Sequence, residues 1–245
     1  MDKEFISDLQ RDGLVIIQKE NGFCFGTDAV LLSDFAACIK SKNICDLCTG
    51  TGIVPILLYA KTDAEHICGV EIQPQIADMA QRSVKLNKIE SRVSILCEDL
   101  KNTSLPQNTF DMVTANPPYM KSGDALLNLN DSKTISRHEV ACTIEDVVRC
   151  AAKLLKTKGH LVMVHRPSRL ADVICAMRKY SIEPKRLRMV QSYKDKEPSM
   201  FLIDGTLAGG QELKILPPLI LYNQSGEETE ELKNIYQRQK SEVNK

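Results

Sequence analysis

Residues 43–61 read NICDLCTGTGIVPILLYAK. A short apolar run ends at Asp46-Leu47, a loop containing Gly50 and Gly52 follows, and the next segment is almost entirely apolar. Glycines at the end of a strand let the backbone turn tightly and let a nucleotide-like ligand approach the carboxyl edge of a sheet. The stretch therefore predicts a strand, a ligand-binding loop and a helix, in that order.

The same strand–helix order continues along the chain and predicts an α/β fold. Strands are expected at 43–48, 66–71, 92–97, 110–115 and 159–165. Helices are expected at 53–61, 74–87, 144–156 and 168–180. Alternation of this kind is typical of a parallel sheet that helices cover on both faces.

The two ends of the chain depart from this alternation. Residues 14–25 are predicted to form a hairpin with Asn21-Gly22 at its turn, and Thr27-Asp28 are predicted to begin a helix. Residues 208–211 are expected at the tip of a C-terminal antiparallel ribbon. The strands without intervening helices are expected at 186–192, 199–203 and 212–222.

The composition is that of a globular chain with a sizeable core: 245 residues, 43% hydrophobic, with a formal net charge of zero. No apolar run has membrane-spanning length and the N-terminus lacks a secretory leader, so we expect a cytosolic protein without membrane association. Nine cysteines are expected to be reduced thiols. Cys45 and Cys48 lack a second ligand pair at zinc spacing, so we expect both to pack in the core and no metal to bind.

Positive charge is concentrated in one part of this neutral chain. Residues 149–196 contain thirteen Lys or Arg and three Asp or Glu. A cationic face is how a protein meets a phosphate backbone, although a run of this kind also fits an ordinary solvated surface. The segment is compatible with a nucleic-acid partner.

The glycine loop has an acidic partner at the end of the next predicted strand. Glu71 stands where a carboxylate can accept hydrogen bonds from ribose hydroxyls. A dinucleotide-binding dehydrogenase also has a glycine loop and an acidic residue at these places. Here, however, Pro55 stands where the G-x-G-x-x-G motif has its third glycine, and the carboxylate of Asp46 would repel a pyrophosphate. A carboxylate does suit an ammonium group, such as that on the methionine part of S-adenosylmethionine.

Two further strand ends carry polar side chains. Asp99 can accept a hydrogen bond from the exocyclic amine of an adenine while Ile72 packs on the ring, and a turn cap explains Asp99 equally well. The fourth strand is followed by Asn116-Pro117-Pro118-Tyr119. Two prolines fix an extended backbone at this point. The start of an ordinary stiff loop is an equally good reason for their presence.

These motifs, taken in order from Asp46 to Tyr119, resemble the class I methyltransferases that act on a planar nitrogen. The segments FCFGTDAVLL at 23–32 and SRHE at 136–139 narrow the resemblance to bacterial tRNA1(Val) adenine-37 N6-methyltransferases. The resemblance implies a Rossmann-like α/β fold with a mostly parallel seven-stranded sheet and an antiparallel C-terminal edge. We divide the chain into an N-terminal hairpin and helix at 1–42, a catalytic domain at 43–225 and a charged tail at 226–245.

The resemblance also implies S-adenosylmethionine as cofactor and tRNA as substrate, and we expect a monomer. Cofactor contacts are expected from Thr27, Asp28, Asp46, Cys48, Thr49, Gly50, Gly52, Glu71, Ile72, Asp99 and Asn116. RNA contacts are expected from Arg137, His138, Arg166, Arg169, Lys185, Arg186 and Arg188. A capped helix start is an equal alternative for Arg137 and His138.

Catalysis is assigned to Asn116, Pro117, Pro118 and Tyr119. The lone pair of an exocyclic amine is delocalised into the ring, so a useful site accepts hydrogen bonds from both amine protons. The Asn116 side-chain oxygen and the Pro117 carbonyl can be these acceptors, while stacking of the base on Tyr119 is worth roughly 1–3 kcal/mol. The methyl group then moves in one in-line displacement that needs no protein nucleophile.

Three alternatives stay open. A protein glutamine amide fits the same four residues, although enzymes of that kind have an N-terminal helical domain for which Asp46 comes too early. Guanine-modifying relatives usually carry another aromatic residue at the position of Tyr119. A nucleic-acid-binding module with this fold and no turnover is the alternative from a different class.

Overall fold

The computed structural model describes residues 3–20, 26–118 and 142–237. Its strands are β1 Glu4–Asp8, β2 Val15–Lys19, β3 Asn43–Leu47, β4 His66–Glu71, β5 Val93–Cys97, β6 Phe110–Ala115, β7 Leu155–His165, β8 Ile182–Gln191, β9 Pro198–Leu207, β10 Lys214–Ile215 and β11 Leu219–Ile220. Its helices are α1 Thr27–Ala37, α2 Ile53–Lys61, α3 Pro74–Leu86, α4 Ile144–Leu154, α5 Leu170–Lys179 and α6 Glu230–Gln237.

The central sheet has nine strands in the described part of the chain. Their order is β10-β8-β9-β7-β6-β3-β4-β5, with β11 also paired to β8. Strands β3 to β7 run parallel to one another, whereas β9 runs antiparallel to both β7 and β8. The predicted fold is confirmed: β3–β9 form a mostly parallel sheet of seven longer strands with an antiparallel C-terminal edge, and β10 and β11 add two short strands.

The sheet separates two hydrophobic cores. The first packs α1, α2, α3 and α6 against one face and includes the fully buried Leu32 and Ile44. The second lies under α4 and α5 and includes Cys45 and Phe201. Neighbours in β3 alternate between the two cores because successive strand side chains point to opposite faces. Helices therefore cover both faces of the sheet.

The predicted ribbon with its tip at 208–211 is wrong, although the antiparallel pairing of β8 with β9 agrees with the prediction. Strand β10 runs parallel to β8, with Lys214 opposite Arg186, and β11 does the same, with Leu219 opposite Val190. Neither short strand pairs with β9, because β7 and β8 already occupy both of its sides. Residues 217–218 are both proline, which cannot donate to a strand ladder, so they divide the predicted strand in two.

The described N-terminal hairpin differs from the predicted one. Strand β1 pairs antiparallel with β2, and the turn between them includes Gln10, Asp12 and Gly13, each with a positive φ between 52° and 70°. The predicted turn at Asn21-Gly22 lies outside the described residues. The hairpin packs on α3, where the Ser83 hydroxyl accepts a 3.0 Å hydrogen bond from the backbone of β2.

The C-terminal helix α6 packs on the first core. Lys61 of α2 is 2% exposed, and its Nζ donates to the backbone oxygen of Ile235 at 3.0 Å and pairs with Asp34 of α1 at 3.3 Å. Part of the predicted tail is therefore an ordered helix, and the division of the chain at residues 42 and 225 stays a prediction. None of the described helices combines the length and apolar character needed to cross a bilayer.

Candidate active site

The residues singled out in the sequence come together at one edge of the sheet. Strand β3 lies between β4 and β6, and all three run in the same direction. Their ends therefore meet, together with the end of β5, at what we call the carboxyl edge: residues 46–52, 71–73, 97–101 and 115–118. This is where open α/β sheets bind ligands.

The loop after β3 has the tight conformation that its glycines predict. Cys48, Gly50 and Gly52 have φ values of 59°, 56° and 89°, in the left-handed region. The backbone N–H of Thr49 donates to the carbonyl of Val70 at 3.0 Å, which holds the loop against β4. Gly52 directly precedes α2, so the helix begins at the carboxyl edge.

Asp46 is buried beneath this loop. It is 1% exposed, and its two oxygens each accept a 2.6 Å hydrogen bond, one from the hydroxyl of Thr49 and one from the hydroxyl of Thr114. Burial raises the pKa of Asp46 to about 7 although both hydroxyl donors favour the charged form, and nearby Glu71 adds to the increase. Asp46 ties the ends of β3 and β6 to the loop.

Glu71 presents a carboxylate beside the same loop. One oxygen accepts a 3.0 Å hydrogen bond from the backbone N–H of Gly50, and the other accepts one of 2.9 Å from that of Gln73. The next side chain, Ile72, is 39% exposed. This pair of residues suits a nucleoside: the fixed carboxylate of Glu71 can accept hydrogen bonds from ribose hydroxyls, and the exposed side chain of Ile72 can contact the base.

Asp99 caps a turn in the structure. Its Oδ1 accepts a 2.9 Å hydrogen bond from the backbone N–H of Lys101, at the start of the 3-10 turn Leu100–Asn102. The capping interpretation is therefore observed, and a contact to adenine stays a prediction. Thr27 is the half-buried first residue of α1, which begins beside the carboxyl edge.

Asn116 stands at the end of β6, level with the glycine loop. Ala115 pairs with Leu47, so the residues that follow them, Asn116 and Cys48, leave the sheet side by side. The Asn116 Nδ2 atom donates a 3.0 Å hydrogen bond to Oδ2 of Asp28. Sequence reasoning missed this contact, because 88 residues separate its partners and neither neighbourhood signals the pairing.

The remaining predicted catalytic residues divide between described and undescribed parts. Pro117 is buried and Pro118 is exposed. Tyr119, Arg137 and His138 lie outside the described residues, so their assigned roles stay predictions.

The predicted RNA-binding residues occupy different parts of the sheet. Arg166 directly follows β7 at the carboxyl edge, where it is exposed and donates to the carbonyl of Ser199 at 3.0 Å. Arg169 follows three residues later and pairs with Asp172. Lys185 donates to the carbonyl of Gly210 near the opposite edge. Arg186 forms an ion pair with the buried Asp204 and Arg188 one with Glu231, so both have structural partners.

Two exposed lysines were not singled out in the sequence. Lys194 and Lys196 lie in the loop between β8 and β9. Gln191 pairs with Pro198 across that loop, and β9 continues to Phe201, opposite His165 at the end of β7. The loop therefore belongs to the same side of the molecule as the carboxyl edge. Only the strand topology reveals this.

Cys48 lies in the glycine loop and not in β3, which ends one residue earlier. Its Sγ is 3.7 Å from that of Cys142, just before α4. The interaction with the Cys142 thiol and burial raise the pKa of Cys48. Cys48 is therefore a protonated thiol at neutral pH. It is partly buried and packs against the second core, and Cys45 is fully buried in that core, so the core packing expected for both thiols is confirmed.

Comparison with known proteins agrees with this geometry. A family model described as "Methyltransferase small domain" matches residues 20–179. A tRNA1(Val) (adenine(37)-N6)-methyltransferase from Bacteroides thetaiotaomicron is 30% identical over 184 residues, 74% of this chain and 76% of the relative. One of the same description from Porphyromonas gingivalis is 29% identical over 185 residues, 72% of each chain.

Solved structures share the fold. A protein from Agrobacterium tumefaciens described as a predicted O-methyltransferase has a TM-score of 0.67 at 21% identity, covering 85% of this chain and 95% of its own. Geranyl diphosphate C-methyltransferase from Streptomyces coelicolor, solved with S-adenosyl-L-homocysteine, has a TM-score of 0.55 at 13% identity, covering 73% and 79%. At these identities the likeness is one of fold alone.

Proposed function

The chain belongs to the methyltransferase small domain family, and on that premise we propose that it transfers a methyl group from S-adenosylmethionine to N6 of an adenine in tRNA. The relatives indicate adenine-37 of tRNA1(Val) as the target. The observation that carries the proposal is the position of Asn116, fixed beside the glycine loop at the end of β6.

The cofactor residues fit a nucleoside that carries an amino-acid group. Glu71 supplies the carboxylate for ribose hydroxyls, and Ile72 supplies an apolar surface for the adenine ring. Gly50 leaves open space where the cofactor would lie, since a Cβ atom there would meet no atom within 4 Å, whereas a Cβ atom at Gly52 would face Ala80 of α3. When bound, S-adenosylmethionine supplies an electrophilic methyl group on a positively charged sulfur.

The chain's own part in the reaction is to hold the target amine. The Asn116 side-chain oxygen and the Pro117 carbonyl accept hydrogen bonds from the two N6 protons, which favours a pyramidal nitrogen and aims its lone pair at the methyl group. Pro117 and Pro118 keep the backbone extended while this happens. Alignment of this kind accounts for up to about 7–11 kcal/mol of the activation barrier.

The substrate must offer its base outside a helical stack. An adenine in a tRNA loop satisfies this requirement, because single-stranded loops can splay a base into a pocket. The exposed Arg166 flanks the carboxyl edge, where it can contact the phosphate backbone.

The direct test is methylation of a defined RNA. Purified protein is incubated with S-adenosylmethionine and a tRNA1(Val) transcript, and the nucleosides are quantified by mass spectrometry. We expect N6-methyladenosine in this transcript and none in a matched transcript with guanosine at position 37. Methylation of neither transcript, or equal methylation of both, would contradict the proposal.

A further inference from the structure

Asp28 joins the first turn of α1 to the end of β6. Its Oδ2 accepts the hydrogen bond from Asn116 Nδ2 at 3.0 Å, and its Oδ1 accepts one from the backbone N–H of Ala29 at 2.9 Å. The residue is 8% exposed. One oxygen of this buried carboxylate therefore anchors the side chain to its own helix, and the other holds the amide of Asn116.

We propose that Asp28 is a positioning residue that sets the rotation of the Asn116 amide and so selects which end faces the substrate. This inference rests on the proposed function. The two ends of a carboxamide are nearly equal in size but opposite in hydrogen bonding. Turned by half a rotation, Asn116 would offer N–H groups to an amine whose own protons need an acceptor.

A carboxylate is well suited to this selection. An ionised aspartate accepts hydrogen bonds only, so it binds the nitrogen end of Asn116 and disfavours the oxygen end. Hydrogen bonds in a chain also polarise one another. Donation from Asn116 to the carboxylate therefore strengthens the amide oxygen as an acceptor for the target amine.

Gly26 leaves the space that this arrangement needs. A Cβ atom at position 26 would lie 2.8 Å from Oδ1 of Asp28. The backbone of Gly26, with φ of −105°, is open to any residue, so its conformation does not require glycine. Gly26→Ala therefore displaces the Asp28 carboxylate without removing it.

The same helix offers a matched control. Asp34 is 7% exposed and pairs with Lys61, away from Asn116. Asp34→Asn makes the same chemical change as Asp28→Asn in a buried carboxylate of α1. It separates loss of stability from loss of positioning.

The kinetic test measures kcat with the tRNA1(Val) transcript and, by calorimetry, Kd for S-adenosylmethionine. We expect Asp28→Ala to lower kcat on the order of 100-fold. Asp28→Asn lowers it about tenfold, because the amide oxygen can serve only one of the two donors. Gly26→Ala lowers kcat as well. Kd stays within about twofold of wild type in all three, and Asp34→Asn lowers Tm while keeping the wild-type kcat.

A wild-type kcat in Asp28→Ala would overturn the proposal. So would a weaker Kd with unchanged kcat, which would make Asp28 a cofactor contact, as the sequence resemblance predicted.

A spectroscopic test needs no substrate. In protein labelled with ¹⁵N at asparagine, the Asn116 side-chain signal is assigned by its absence in Asn116→Ala. We expect this signal to shift in Asp28→Ala and to stay in place in Asp34→Asn. An unshifted signal in Asp28→Ala would overturn the contact itself, whereas a wild-type protein inactive on tRNA would contradict only the proposed function.

Discussion

Asp46 connects the stability of the sheet to the chemistry at its edge. It is less exposed than Glu71 or Asp28, yet it is the carboxylate that the ammonium group of the cofactor is expected to approach. Its hydroxyl partners, Thr49 and Thr114, hold the glycine loop to the ends of two strands. Burying the Asp46 carboxylate costs free energy, and this cost follows from its position beneath the glycine loop.

The raised pKa of Asp46 predicts a dependence of stability on pH. The unfolded chain releases this proton near the ordinary value of 3.8 and the folded chain near 7. Between these values the folded state binds more protons, so the free energy of unfolding falls as pH rises. A pKa difference of this size corresponds to about 4 kcal/mol in the free energy of unfolding.

We therefore expect Asp46→Asn to gain stability relative to wild type as pH rises from about 4 to about 7, and no further above pH 8. Denaturant unfolding of both proteins across this range measures the effect. If the difference in the free energy of unfolding between the two proteins were the same at every pH, Asp46 would not have a raised pKa in the folded state.

At the scale of elements, the glycine loop packs closely against β4 because Gly69 of that strand has no side chain. A Cβ at Gly69 would lie 2.7 Å from the Thr49 hydroxyl oxygen and 2.8 Å from Cδ1 of Ile95. Since that hydroxyl also donates to Asp46, crowding at β4 is transmitted to the loop. The strand and the loop therefore act as one unit.

We predict that Gly69→Ala lowers the free energy of unfolding by about 1–3 kcal/mol and weakens binding of S-adenosylmethionine. Gly210→Ala is the matched control, because a Cβ at that position meets no atom within 4 Å. Thermal unfolding and calorimetry measure both quantities. Wild-type stability and affinity in Gly69→Ala would contradict the coupling of β4 to the loop.

The elements that the sequence predicts well are those with a local cause. Strand β6 begins and ends where its apolar run does, and α3 begins at Pro74, a residue suited to the first helical turn. Strand β1 was missed because three of its five residues are exposed, so no buried face marks it. The pairing of β10 with β8 and the contact of Asp28 with Asn116 depend on tertiary packing, which no local pattern encodes.

At the scale of the whole molecule, the basic segment does not form one surface. Its residues are spread over both edges of the sheet, and several are engaged in internal ion pairs. Within this segment, the exposed positive charges on the side of the carboxyl edge are Arg166, Lys194 and Lys196, and the exposed Lys101 lies at the same edge outside the segment. We expect the contacts to tRNA phosphates to come from this side.

Binding of tRNA should weaken steeply with added salt, since each phosphate contact releases counterions. Arg166→Gln is expected to weaken binding and to reduce the slope of log Kd against log salt by about 1. Lys158→Gln is the control: Lys158 is exposed but lies near the opposite edge, where it donates to the carbonyl of Ala208. A flat salt response, or equal effects of the two variants, would contradict RNA binding at the carboxyl edge.

The central claim is that Asn116 holds the target adenine of a tRNA for methylation. The most direct measurement is mass spectrometry of tRNA1(Val) nucleosides from a deletion strain complemented with wild-type protein or with Asn116→Ala at matched expression. We predict that N6-methyladenosine is absent from the deletion strain and restored by wild type. We predict that Asn116→Ala does not restore it, although the purified variant still binds S-adenosylmethionine. Restoration by Asn116→Ala, or N6-methyladenosine persisting at position 37 in the deletion strain, would contradict the claim.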